Sequence, residues 1–115
     1  MIVAGFGFTS TAGVASLRGA LQAATAATGL TPTHAATAPD KAAALAVLGL
    51  PVIAVTDLPA DTPTQSAASL RARATGSLAE AAALAAAGPG ARLAAVRVVS
   101  PDRRATCAIA LKDSP

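Results

Sequence analysis

From Met1 to Phe8 the chain is almost unbrokenly apolar, Met-Ile-Val-Ala-Gly-Phe-Gly-Phe. A run without polar alternation predicts a buried central β-strand. Thr9, Ser10 and Thr11 follow, residue types that suit a helix N-cap. From Ala12 to Thr28 the apolar positions Val14, Leu17, Leu21 and Ala24 recur at steps of three and four, which predicts a helix. Gly29 is placed to stop it, with Pro32 soon after. The first third therefore reads as strand, glycine turn, helix.

Thr33 to Thr37 reads as a short strand. Asp40 follows Pro39 as a helix start, and Lys41 to Leu48 continues as a short helix ended by Gly49. Pro51 to Val55 is apolar and β-branched, a second buried strand. Asp57 to Thr64, which contains Pro59 and Pro63, reads as a loop. Ser66 caps a short helix to about Arg73, broken at Thr75-Gly76. Ser77-Leu78-Ala79-Glu80 has the form of a capping box ahead of an alanine-rich helix to Ala87, which Gly88-Pro89-Gly90 ends. Arg92 to Val99 and Ala105 to Leu111 are two strands joined by Ser100 to Arg104, a length suited to a hairpin. Strands alternating with helices predict an α/β fold, a three-layer α/β/α arrangement with a mixed sheet of about five strands ending in a β-hairpin. With no internal repeat and a length of 115 residues, a single domain over 1–115 is expected.

Composition changes this picture in two ways. Hydrophobic residues make up 53% of the chain, but most are alanine and the aromatics are Phe6 and Phe8 alone, so thin, closely packed layers are expected. A mean hydropathy of +0.55 raises the question of a membrane span. The longest charge-free apolar run, Ala42 to Val55, is broken by Gly49 and Pro51 and falls short of the roughly 20 residues a spanning helix needs. No basic residue precedes Arg18, so the charged leader of a secretion signal is missing, and Cys107 has no second cysteine to pair with. A cytoplasmic protein with no membrane partner is the expectation. The net charge of +3 arises from nine Lys and Arg against six Asp and Glu, paired only at Arg71/Arg73 and Arg103/Arg104. Without a basic stripe or aromatic stacking platforms, nucleic acid is not expected as a partner. A mild positive bias suits a small anionic ligand.

Few residues carry candidate chemistry. Gly5-Phe6-Gly7, between the predicted strand and helix, reads either as an ordinary tight turn or as a loop that lets an anion approach a helix N-terminus. It is not a dinucleotide fingerprint, because Ser10 stands where the third glycine belongs, and it lacks the Gly-Lys-Ser/Thr ending of a P-loop. Asp40-Lys41 is either a helix start beside a solvated lysine or a lysine reaching a substrate carboxylate. Thr64 and Ser66 are helix caps or ligand hydroxyls. Glu80, the only glutamate, is the box partner of Ser77 or a general acid/base. Arg97 interrupts an apolar strand, as an edge cation reaching water or as a ligand partner. His34 has no second histidine or cysteine at ligand spacing, so no metal is expected, and no cofactor either. Cys107 reads as a buried small hydrophobe.

Taken together, several stretches form a known pattern: Val3-Ala4-Gly5-Phe6-Gly7-Phe8, Ala35-Ala36-Thr37-Ala38-Pro39-Asp40-Lys41, Thr64-Gln65-Ser66, Thr75-Gly76-Ser77-Leu78-Ala79-Glu80-Ala81-Ala82-Ala83-Leu84, Ser100, and Thr106-Cys107-Ala108-Ile109-Ala110. In their order and spacing the chain resembles the CobE/CbiG C-terminal family of cobalamin (vitamin B12) biosynthesis, in a stand-alone CobE-like form. Thr9-Ser10-Thr11 stand where members often carry cysteine or arginine, Ala44 where many have glutamate, and Arg97 where lysine is usual.

The resemblance implies a precorrin- or hydrogenobyrinic-acid-type tetrapyrrole as ligand, with other cobalamin pathway enzymes as possible partners. It also implies Gly5, Gly7, Phe8, Thr9, Ser10, Lys41, Thr64, Ser66, Gly76, Ser77 and Arg97 as binding residues. In larger relatives this part belongs to an enzyme that opens a ring-A lactone and releases acetaldehyde. Three readings stay open: a tetrapyrrole carrier or accessory to a ring-contraction-stage enzyme, a lactone hydrolase with Glu80 or Asp40 as base, and a phosphate- or nucleotide-binding module.

Overall fold

The computed structural model describes residues 1–58 and 77–112, and the structural statements below concern those residues. Thr64, Ser66, Gly76 and the helix expected from Ser66 to Arg73 lie outside them. In chain order the elements are β1 (Ile2–Phe8), α1 (Val14–Thr28), β2 (His34–Thr37), a 3-10 helix (Pro39–Leu48), β3 (Val52–Ala54), α2 (Leu78–Ala87), β4 (Arg92–Val99) and β5 (Ala105–Leu111). The strands form one sheet in the order β3-β2-β1-β5-β4. β1 pairs in parallel with β2, and β2 with β3, while β5 lies antiparallel to both β1 and β4. The sheet is therefore mixed, closes on the β4–β5 hairpin and carries helices on both faces, as the α/β reading expected.

Strand alternation divides the core in two. On one face Ala4 and Phe6 of β1, with Cys107 and Ile109 of β5, pack against Leu17, Ala20 and Ala24 of α1 and Leu45 of the 3-10 helix. On the other, Val3 and Ala110 meet Leu78, Ala82, Ala83 and Ala87 of α2. Gly5 and Gly7 share the parity of Val3, and their role corrects the glycine-turn reading. Both lie inside β1. A Cβ on Gly5 would come within 2.1 Å of the Ala79 carbonyl oxygen and 2.6 Å of the Ala83 nitrogen. The glycine pair is the slot into which α2 presses backbone against backbone, and the turn begins only after Phe8.

Two further expectations are corrected, and the short helix expected up to Gly49 is found in a tighter form. α1 starts at Val14, with Gly13 as its N-cap, so Thr9–Thr11 lie in the loop before it. The Gly13 amide is satisfied by Ser16 Oγ at 3.2 Å. The helix after Pro39 is 3-10 in form and ends on Gly49 in the left-handed region, φ 74°. β3 is not a buried strand. Its place at the end of the sheet leaves Ala54 exposed and Val52 and Ile53 half-buried.

α2 begins over Gly7, where a Cβ would lie 3.5 Å from Leu78 Cβ, and runs back over Gly5. The carboxyl end of β1 therefore gathers the N-terminus of α2, the loop leading to α1 and the Ser100–Arg104 turn, since Phe8 pairs with Ala105. The 3-10 helix starts beside it, directly after β2.

Candidate functional site

The chain turns to one side of β1 through α1 and β2, and returns on the other side through β5. In open α/β sheets the crevice outside the carboxyl ends of the strands, where the order switches sides, is where ligands bind. Here that place holds Phe8, the exposed Thr9, Ser10 and Thr11, and Lys41. Thr9 continues the ladder for one more bond, its amide donating to the Arg104 carbonyl at 2.9 Å. The Ala12 amide donates to the Thr9 carbonyl at 3.1 Å, closing a turn. Thr9 Oγ1 and Thr11 Oγ1 lie 3.0 Å apart.

Lys41, in the first turn of the 3-10 helix, reaches the carboxyl end of β1. Its Nζ donates to the Phe8 carbonyl at 2.5 Å and stands 4.6 Å from the centroid of the Phe8 ring. Hydrogen bond and ring together hold the ammonium at one point. Asp40 beside it is exposed, a favourable acidic residue in the first turn of a helix. Thr37, one step earlier, donates from Oγ1 to the Phe6 carbonyl at 2.8 Å in full burial, which ties β2 to β1 just below this point.

Other candidates lie elsewhere. Gly5 and Gly7 turn their side-chain face to α2 rather than to solvent. Ser77 is buried at the N-cap of α2, its Oγ accepting from the Glu80 amide at 3.4 Å. The expected capping box is completed differently on its second side. Glu80 is fully buried, and its Oε2 accepts from the Arg97 amide at 3.0 Å, fastening α2 to β4. Arg97 itself is half-buried on the edge strand, beside an irregularity in the β4–β5 register. It is two strands from β1 and bonded to the α2 side, so the structure does not bring it to Lys41 and Phe8. Cys107 is buried, and burial pushes its thiol pKa far up, so it is not a nucleophile. Among the described residues no group of His, Cys, Asp and Glu is arranged to hold a metal, and no helix is long and apolar enough to cross a membrane.

One cluster escaped sequence reasoning. Asp102, in the hairpin turn, accepts from Ser100 Oγ at 2.6 Å, from Ser16 Oγ at 2.5 Å and from the Arg104 amide at 3.1 Å. These donors, Ser100 and Ser16 foremost, lower its carboxyl pKa to about 2. A carboxylate that reluctant to take a proton is a poor general base, and Ser16 is buried, so the pair does not make an activated hydroxyl nucleophile. Ser100-x-Asp102 within a short loop signals a local turn, but nothing in the sequence signals a partner as remote as Ser16.

The site thus gathers a fixed cation, an aromatic ring and a row of exposed hydroxyls. Comparison with known proteins identifies the family. The family model described as "Cobalamin synthesis G C-terminus" matches residues 2–110. Among solved structures the chain is similar to the cobalamin biosynthesis protein ChiG from Agrobacterium tumefaciens, with 39% identity over 99% of this chain and 100% of that one and a TM-score of 0.74. It is also similar to CobE, a protein from the cobalamin (vitamin B12) biosynthetic pathway, with 25% identity over 100% of this chain and 92% of that one and a TM-score of 0.78. No curated protein matches the chain.

Proposed function

The chain belongs to the cobalamin synthesis G C-terminus family, and from that premise we propose that it binds a precorrin-type tetrapyrrole at the carboxyl end of β1, as a carrier or as an accessory to a ring-contraction-stage enzyme. The observation that carries the proposal is Lys41, held on the Phe8 carbonyl and over the Phe8 ring beside Thr9, Ser10 and Thr11. Tetrapyrroles of this kind are macrocycles fringed with acetate and propionate groups. Lys41 and the hydroxyls answer the carboxylates, and the Phe8 ring answers the macrocycle. Ser77 stands at the start of α2, at the same end of the sheet, and Arg97 adds a more distant cation. Binding rather than catalysis is favoured because Glu80 is enclosed and bonded to β4, and Asp102 is a weak base.

Titrating the protein with hydrogenobyrinic acid and with precorrin intermediates, followed by visible spectra and product masses, tests the proposal. Retained pigment of unchanged mass is the expected result. Lys41→Ala is expected to weaken retention about tenfold, the worth of one charge-assisted hydrogen bond. Lactone opening with release of acetaldehyde would replace the carrier with a hydrolase, and a wild-type protein that retains no pigment would overturn the assignment.

A further inference from the structure

We infer that Asp102 is a positioning residue: it clamps the loop Thr9–Gly13 to the hairpin turn and so presets the ligand-facing hydroxyls. The inference rests on the proposed binding site for its purpose, though not for its geometry. The loop is held at three points, and each leads back to the same turn. At its start, the Thr9 amide donates to the Arg104 carbonyl. In its middle, the Arg104 guanidinium donates from Nη1 to the Thr11 carbonyl at 3.4 Å. At its end, the Gly13 amide donates to Ser16 Oγ, whose own proton goes to Asp102 Oδ2.

Asp102 Oδ1 fixes the remainder of the clamp. It accepts from the Arg104 amide and from Ser100 Oγ, and Ser100 Oγ in turn accepts from the Ala105 amide at 3.1 Å. The turn takes a shape that needs such support, because Arg103 sits in the left-handed region at φ 63°, unfavourable for a residue with a long side chain. A single carboxylate thus joins the start of α1, the turn conformation and the placement of Arg104. An exposed loop rich in hydroxyls would otherwise lose conformational freedom when it met a ligand. Ordering it in advance removes that cost from binding.

The test combines amide hydrogen exchange in the free protein with pigment binding, on Asp102→Ala and Asp102→Asn. Asparagine keeps one carbonyl acceptor of the same length, so it is expected to retain part of the clamp. In Asp102→Ala, exchange at Thr9 and Ala12 is expected to speed up about tenfold or more, the scale of one lost charge-assisted bond, while Ala4 and Ile109 in the sheet centre stay protected. Hydrogenobyrinic acid is expected to bind Asp102→Ala about tenfold more weakly through this loss of order, with Asp102→Asn intermediate. Exchange at Thr9 and Ala12 unchanged in Asp102→Ala would overturn the clamp. Faster exchange with undiminished binding would overturn its role in positioning. If the wild type itself holds no pigment, the binding assignment fails and the exchange result still decides the clamp.

Discussion

Against α1 and the 3-10 helix the sheet presents Phe6, Cys107 and Ile109 and meets Leu17 and Leu45, whereas against α2 it presents Val3, Gly5 and Gly7 and meets Leu78 and a run of alanines. On the first face the layers are spaced by interdigitated side chains, which shift rotamers and share out a change in volume. On the second they are spaced by backbone, which does not. The alanine-rich composition therefore has unequal consequences within one small core. The α2 face tolerates no added atom at its narrowest point, and the α1 face registers the loss of one only moderately.

The largest expected effect tests the narrow face. Gly5→Ala places a methyl against the Ala79 carbonyl and the Ala83 amide, and α2 must move to admit it. A loss of more than about 3 kcal/mol is expected, the upper range of overpacking, measured by urea unfolding. The Ala83→Gly change added to it removes only one of the three close contacts and is expected not to rescue stability. A loss below about 1 kcal/mol for Gly5→Ala would show that α2 rides loosely on the sheet and that the two faces are alike. The wide face is tested by subtraction. Ile109→Val removes one methylene from a fully buried side chain and is expected to cost about 1 kcal/mol. If removing that carbon costs as much as adding one at Gly5, the contrast fails.

This contrast also explains what was legible in the sequence. The helices and the closing hairpin were visible because their periods and stop signals are local: Val14, Leu17, Leu21 and Ala24 for α1, and Gly88-Pro89-Gly90 after α2. Gly5-Phe6-Gly7 falls within the strand predicted to Phe8, but the turn role that the sequence suggests for its glycines is not the one the fold gives them. Two glycines near a run of Thr and Ser look like a turn, and a period-two slot for a helix is recognisable only once that helix is known to lie there. The burial of Pro51 to Val55 was overestimated because apolar β-branched residues report strand propensity, while position in the sheet is set by the order of non-neighbouring strands. Lys41 was legible as a candidate cation, but its Phe8 carbonyl partner was not. The spacing pairs Glu80 with Ser77, whose Oγ does accept from the Glu80 amide, but it gives no sign that the Glu80 carboxylate accepts from the Arg97 amide on another strand. Ser16 and Asp102 meet only through the fold.

The smallest expected effect concerns how each helix is tied to the hairpin. α2 is fastened through Glu80, enclosed in the core, and α1 through Asp102, at the surface. An exposed tether is the one acid should release. The folded-state pKa of Asp102 lies at about 2, below its ordinary 3.8. The unfolded chain therefore binds the proton more readily. The contribution of Asp102 to stability is fully present above about pH 4 and is lost as the pH falls towards 2. Other carboxylates titrate over the same range, so the informative quantity is a difference between proteins. The melting temperature of the wild type should fall more steeply between pH 4 and pH 2 than that of Asp102→Asn, and the two curves should run parallel above pH 5. Parallel curves down to pH 2 would mean that the Ser16 and Ser100 bonds do not favour the ionised carboxylate. α1 would then owe its attachment to packing, while α2 keeps its buried Glu80 bond to the Arg97 amide, and the tethers of the two faces would differ in kind as well as in exposure.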